Sequence, residues 1–391
     1  MTGILLTTGP FDWALLPDGT AEIRRYHGEE TVLAIPSVLE GHPVTRIGTN
    51  AFEGCDRLTS ITFPESLTGL GDFVFYWCRG LTSVTLPDSL RETGINPFPF
   101  CDRLSELRVS TDHPAFAVEN GLLIRREDRQ VVCCPGGLPE PVLDVPAGTR
   151  SIGGAAFDGC DKLREIRLPE GVTAIGEFAF ARCLFLQEIH LPEGLESLGG
   201  LCFAECSSLR RISLPDSLLR MGDNPFLDCR SLLEITVSPN HPVFVSADGV
   251  MLLRREDHRL ISCAIRGLPA KAAVPPGTLA IGDGAFLDCG ALEELHIPDG
   301  VTDIGFAAFC ECRRLTRLRL PPTLTRLGGQ AFAGCHSLCE LTIPAGVTEL
   351  GEDLFLDAAD ELTVTVTAGS PAAEYCRKEP IMLFHTRVVE E

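Results

Sequence analysis

Apolar and polar positions along the chain recur with a period of 23 residues, a length that belongs to stacked coils rather than to one helix or hairpin. The clearest copy runs from Cys160 to Cys183. In it Ile166 and Leu168 alternate with Glu165 and Arg167, the period-two signature of a strand with one buried face. Pro169-Glu170-Gly171 ends that strand, because proline cannot donate to a ladder and glycine turns freely; Val172 and Ile175 then bring the chain back inside. Cys55, Cys78, Cys101, Cys160, Cys183, Cys206, Cys229, Cys289, Cys312 and Cys335 share one repeat position, and a Phe stands three residues before each. Phe355 marks an eleventh turn. Four residues before every one of these Phe is a Gly, from Gly48 to Gly351, which marks either a positive φ or a close approach between coils. A single coil of this length cannot bury its apolar face, whereas stacked coils share a continuous core. The pattern predicts a mainly-β repeat solenoid of about eleven turns, with columns of Phe, Ile, Leu and Cys inside.

Two longer intervals interrupt the ladder, Cys101 to Cys160 and Cys229 to Cys289, and their contents match. Each is entered through Asn-Pro-Phe (Asn96 to Phe98, Asn224 to Phe226), and each carries His-Pro and Arg-Arg-Glu-Asp in the same places, so both read as short strands joined by turns. A unit of one hairpin-bearing coil plus three plain coils has been duplicated, with a super-period of 128 residues between Cys101 and Cys229. The chain is thereby divided into an N-terminal capping strand unit over 1–43, a solenoid over 44–358 and a C-terminal cap over 359–391; hairpin-bearing units lie at about 110–146 and 238–275. In the last part, Thr363 to Thr367 alternates as an edge strand, Ser370-Pro371 caps a short helix from Ala372 to Lys378, and Ile381 to Phe384 follows.

Composition narrows the partners. The chain has 391 residues, 33 Lys+Arg against 54 Asp+Glu, a formal net charge of −21 and 45% hydrophobic residues, which excludes disorder and a small disulfide scaffold. That charge repels phosphate backbones and anionic lipid heads, so nucleic acid is excluded as a partner. No stretch reaches the roughly 18 apolar residues of a membrane span, so no membrane insertion is expected. The start from Met1 to Pro10 lacks the basic and apolar segments of a signal peptide. The sequence as given therefore points to the cytoplasm, and a removed export signal would point to the cell surface or the medium. Partner identity and oligomeric state are left open.

Cys-x-x-Leu-x-x-Ile-x-Leu-Pro-x-x-Val-x-x-Ile-Gly-x-x-Ala-Phe, as it stands from Cys160 to Phe180, resembles the repeat of BspA-like leucine-rich repeat proteins. The resemblance covers nearly the whole chain and extends to the Asp-Gly hairpin and to the ending from Ser370 to Tyr375. It implies a curved leucine-rich repeat solenoid, often displayed on bacterial or protist surfaces for adhesion or protein binding, with no catalytic residues to carry over. The hairpins depart from that pattern, with Cys133-Cys134 and Cys263-Ala264 where family members often have aromatic residues.

Candidate chemistry is sparse. Ladder cysteines one coil apart are close enough for disulfides or soft metals, but the slot precedes a core Leu and fits a small buried hydrophobe. No paired Cys-x-x-Cys spacing calls for a metal, and no catalytic motif or cofactor fingerprint occurs. His113 and His241 match across the duplication, which argues for a turn role, because duplicated scaffolding repeats while active sites usually occur once. The residue after the strand-ending Pro forms an acidic column, Glu65, Asp88, Glu170, Glu193, Asp216 and Asp299, read as solvated turns with Ca²⁺ or a basic partner as the functional option. The exposed face of the main strands, including Glu165, Arg167, Glu188, His190, Arg211, Glu294, His296, Arg317 and Arg319, is polar, mixed in sign and without aromatics; it is broad enough for a ligand.

Departures from the repeat carry more information than the repeat itself. Positions after the repeat Phe, usually small or polar, are Tyr76 and Trp77 in coil two and include Phe100 in coil three; coil five has Leu184 and Phe185 after its Cys. Exposed aromatics of this kind anchor protein interfaces, unless the first hairpin unit folds over them as local core. The sequence thus predicts a non-catalytic scaffold that binds a protein partner, with a surface adhesin for host or matrix protein or glycan as the alternative.

Overall fold

The computed structural model describes residues 5–359, 361–378 and 387–390. It is a mainly-β solenoid of about 16 turns at a spacing of ~23 residues. The eleven turns counted from the Phe column fall short because the hairpin-bearing and terminal turns complete a coil without the Gly, Phe and Cys signature. The chain forms two compact units, Met1–Phe203 and Ala204–Glu391.

In the first unit each plain coil contributes three residues to a main sheet and two to a minor one. Val32–Ala34, Ser60–Thr62, Ser83–Thr85 and Glu106–Arg108 pair in parallel, with Ile61 opposite Val84 and Val84 opposite Leu107. His42–Ile47, Gly69–Leu70 and Glu92–Thr93 form the minor ladder. The N-terminal cap is three antiparallel strands, Leu5–Thr8, Phe11–Leu15 and Ala21–Tyr26, of which the last runs parallel to His42–Ile47. The first hairpin unit repeats that plan: Phe116–Glu119, Leu122–Arg125 and Gln130–Cys133 are antiparallel, and the last pairs with Ser151–Ile152. Asn120 and Gly121, at φ of 50° and 80°, supply the two left-handed residues that a tight hairpin turn needs. Beyond the hairpin, Val142–Asp144, Glu165–Arg167 and Glu188–His190 continue as a main sheet.

The second unit follows the same plan. Phe244–Ala247, Met251–Arg254 and Arg259–Cys263 are the antiparallel set, turning at Asp248 and Gly249, and Lys271–Ala273, Glu294–His296 and Arg317–Arg319 are main strands. Thr363–Val366, expected at an edge, is instead paired on both sides, with Glu340–Ile343 and Arg387–Glu390. Its alternating Val and Thr reflect one buried face, not an unpaired edge. The helix Pro371–Lys378 forms where expected: Ser370 Oγ accepts from the Ala373 N–H at 3.2 Å, and the Tyr375 hydroxyl accepts from the Leu354 N–H at 3.0 Å. The segment from Ile381 to Phe384 lies outside the described residues.

The recurrent Gly is explained by crowding alone. At Gly71 a Cβ would lie 2.5 Å from the Thr49 nitrogen, and at Gly305 2.6 Å from the Asp283 nitrogen, while neither residue has a positive φ. Close approach permits the Phe column: Phe52, Phe75 and Phe98 stack with centroids 5.1 and 5.2 Å apart, and Phe286, Phe309 and Phe332 at 5.3 and 5.7 Å. Tyr26 extends the first stack into the cap, 5.1 Å from Phe52. The left-handed positions lie elsewhere, two residues after the Gly and two after the Phe.

Phe309 is fully buried between two stacked rings, so Phe309→Ala should cost about 3–5 kcal/mol. The urea midpoint checks the size. Because coils couple to their neighbours, hydrogen exchange should rise around Phe309 before it rises in the N-terminal cap.

Candidate binding surface

The ladder cysteines are structural. Cys78, Cys101 and Cys183 donate their thiols to the carbonyls of Phe52, Phe75 and Phe157 at 3.0, 3.3 and 3.2 Å, each reaching to the preceding coil; Cys312 and Cys335 do the same to Phe286 and Phe309, both at 3.1 Å. The slot thus needs a small hydrophobe that can donate once to a buried carbonyl. Burial pushes the thiols of Cys101, Cys183 and Cys229 well up. His113 and His241 are likewise tied to backbone. Nε2 of each faces a carbonyl one coil earlier, Pro87 at 3.0 Å and Pro215 at 3.1 Å, while Nδ1 accepts from two N–H groups ahead of it, Ala115 and Phe116 or Val243 and Phe244. Burial lowers the pKa of both imidazoles. Among the described residues, no three His, Cys, Asp or Glu side chains come together as a metal site would require. The acidic column residues Glu65, Glu170 and Glu193 point to solvent.

The exposed strand face is partly self-compensated. In the first unit Arg167 pairs with Glu165 at 2.6 Å and Asp144 at 3.4 Å, and Glu188 and His190 stand opposite Glu165 and Arg167. In the second unit Arg211 meets Glu234 at 3.3 Å. Further along, Lys271, Glu294, His296, Arg317, Arg319 and Glu340 line a shallow groove of about 680 Å³. Glu294 there is held by Lys271 at 3.2 Å and Arg317 at 3.5 Å.

The aromatic edge of the first unit is a different kind of surface. Tyr76 lies tilted against Trp77, ring centroids 4.6 Å apart, and Phe100 meets Tyr76 edge-on at 5.4 Å and Trp77 at 6.3 Å. Trp77 remains 42% exposed, whereas Tyr76 and Phe100 are half-buried; Leu184 and Phe185 are exposed at 37% and 53%. The first hairpin strands add to the minor sheet, and the ring contacts of this cluster are with its own members, Phe73 and Arg182. Arg182 lies 5.0 Å over the Phe100 ring and makes a bidentate pair with Asp158, at 3.0 and 2.6 Å. Trp77 and Phe100 occupy left-handed backbone, φ 61° and 57°, where other coils place Gly54, Gly159, Asp228 or Asp288, and also Arg182, Glu205 and Glu311. The left-handed position thus accepts side chains in several coils, and what sets Trp77 and Phe100 apart is that theirs are aromatic.

Seven participants were not singled out from sequence: Phe73, Phe178, Asp158 and Arg182, and beside them Asn50, Glu53 and Ala155. Phe73 and Phe178 are also left-handed, two residues after the repeat Gly, where neighbouring coils have Asn50 and Ala155. Comparing that position across coils would have found them. The Asp158–Arg182 pair could not be found that way, since its partners come from different coils. With Tyr76, Glu53, Asn50 and Ala155 these residues line an open cavity of about 290 Å³.

A family model described as a BspA type leucine-rich repeat region, in six copies, matches residues 34–117, 142–245 and 273–369. The chain belongs to the BspA-type leucine-rich repeat family. No curated protein sequence matches it. Among solved structures it is similar to a leucine-rich cell surface protein of Faecalibacterium prausnitzii, at 25% identity and a TM-score of 0.55, covering 95% of this chain and 90% of that one. It is also similar to a leucine-rich repeat protein of Bacteroides ovatus (20% identity, TM-score 0.43, 99% of each chain) and to the pneumococcal vaccine antigen PcpA (17%, 0.43, 99% of this chain and 85% of that one). Among the described residues of this BspA-type chain, no helix is long and apolar enough to cross a membrane.

Two measurements follow from the thiols. Alkylation of the native protein should reach exposed Cys339 and leave Cys101, Cys183 and Cys229 unmodified until the chain unfolds. Folded thiols stay protonated while unfolded ones ionise near about pH 8.5, so stability is complete below that pH and lost above it. The loss should approach about 1.4 kcal/mol per pH unit per buried thiol, read as a falling urea midpoint between roughly pH 8 and 9.5.

Proposed function

We propose that this BspA-type chain is a non-catalytic scaffold that binds another protein through the aromatic edge of coils two to five. The observation that carries the reading is that the duplication did not preserve the edge. One super-period further along the chain, the positions of Trp77 and Phe100 are Glu205 and Asp228, and those of Phe178, Arg182, Leu184 and Phe185 are Ala307, Glu311, Arg313 and Arg314. Scaffold features such as His113 and His241 were kept in both copies. In the second copy the same row is closed by ion pairs, with Arg230 between Asp228 at 2.8 Å and Asp288 at 3.0 Å, and Arg313 on Glu311 at 2.8 Å. A feature that is aromatic, exposed and present once belongs to a ligand rather than to the fold. The absence of catalysis is supported by the commitment of buried thiols and imidazoles to backbone hydrogen bonds.

A second reading is an adhesin on the cell surface, binding host or matrix protein or glycan. The similarity to the Faecalibacterium prausnitzii cell surface protein favours it. Capture from separate intracellular, surface and medium fractions distinguishes the two.

Trp77→Ala should abolish partner capture while changing stability by no more than about 0.5 kcal/mol, because the side chain is exposed and its backbone strain is not increased. Phe100→Ala removes the platform under Arg182 and should cost about 1 kcal/mol as well as capture. Equal capture by both variants and the wild type would overturn the reading.

A further inference from the structure

We propose that the cavity beside this edge receives an arginine side chain of the partner protein. The inference rests on the reading of the edge as a binding surface and names what it recognises. Phe73, Tyr76 and Phe178 line the cavity, and aromatic faces attract a cation placed over them. Two carboxylates belong to the same lining. That of Asp158 is neutralised by Arg182, but Glu53 is exposed and has no ion pair among the described residues, so the site retains one negative charge. At about 290 Å³ it has room for one long side chain and not for a strand or helix.

Arg182 shows within the chain what this edge accepts. Its guanidinium lies over one aromatic ring, Phe100, and is gripped by one carboxylate, Asp158. Glu53 beside Tyr76 and Phe73 offers a second guanidinium the same two elements. A guanidinium suits them better than an ammonium, because it is planar, weakly hydrated and able to stack while it donates. The carboxylates are as particular to this edge as the aromatics: of the eleven residues that follow a repeat Phe, only Glu53 and Asp158 are acidic. The net charge of −21 would raise the encounter rate with a basic partner, while the cavity would decide where it docks.

The test uses the full chain and three blocked tripeptides, Gly-Arg-Gly, Gly-Lys-Gly and Gly-Leu-Gly. Binding is followed by the emission of Trp77; the other tryptophan, Trp13, is fully buried. The arginine peptide should bind saturably and more tightly than the other two. Glu53→Gln, at an exposed position, should weaken it about fivefold, while Glu193→Gln removes the same charge from the acidic column without effect. Absence of saturation, equal weakening by both variants, or binding of the leucine peptide as tightly as the arginine one would overturn the proposal. Equal or tighter binding of the lysine peptide would overturn the guanidinium assignment. Failure here with capture still dependent on Trp77 removes the arginine pocket and leaves the binding edge standing.

Discussion

The separation between successive coils, set by backbone hydrogen bonds at about 4.8 Å, is the constraint from which the rest of the structure follows. A flat ring tolerates that separation, so Phe52, Phe75 and Phe98 stack nearly face to face. A Cβ does not tolerate it where one turn crosses the next, so Gly71 and Gly305 have no substitute. The cysteine slot obeys the same distance. Its thiol spans one coil to give the Phe52 or Phe286 carbonyl a second donor, beside the backbone N–H of Cys55 or Cys289 from the same coil. Glycine, phenylalanine and cysteine are thus three answers to one spacing, which is why they recur together.

Because every coil solves the same problem, variation is free only where the chain turns outward. The two left-handed positions per coil lie there, and about half hold Gly, Asn or Asp, for which that conformation costs little. The first unit instead places Phe73, Trp77, Phe100 and Phe178 at such positions and half-exposes them. The second unit fills the same row with paired charges. The same left-handed backbone therefore presents an aromatic edge in the first unit and an ion-paired edge in the second.

The fold was legible in the sequence because its period is an arithmetic fact. The strand of the copy at Cys160, the helix start at Ser370-Pro371 and the hairpin at Asp248-Gly249 all stand where local chemistry puts them. Legibility failed where a role depends on the neighbour. Thr363–Val366 alternates like an edge strand, yet gains a second partner from Arg387–Glu390. The N-terminal strands lack the Phe and Cys signature, yet repeat the hairpin plan through Tyr26 and its place on the Phe stack.

By itself the sequence determined the solenoid, the duplication, the buried columns and the places where the repeat breaks, because each follows from residues at fixed separations along one coil. Only the tertiary structure decided that the Gly serves close packing and not a positive φ, and that Trp77 stays exposed while Phe100 becomes the platform for Arg182. It also brought Glu53, Asp158 and Phe178 around one cavity. Those outcomes depend on distances between coils, and a side chain's reach from one coil to the next is not written in the order of residues along either.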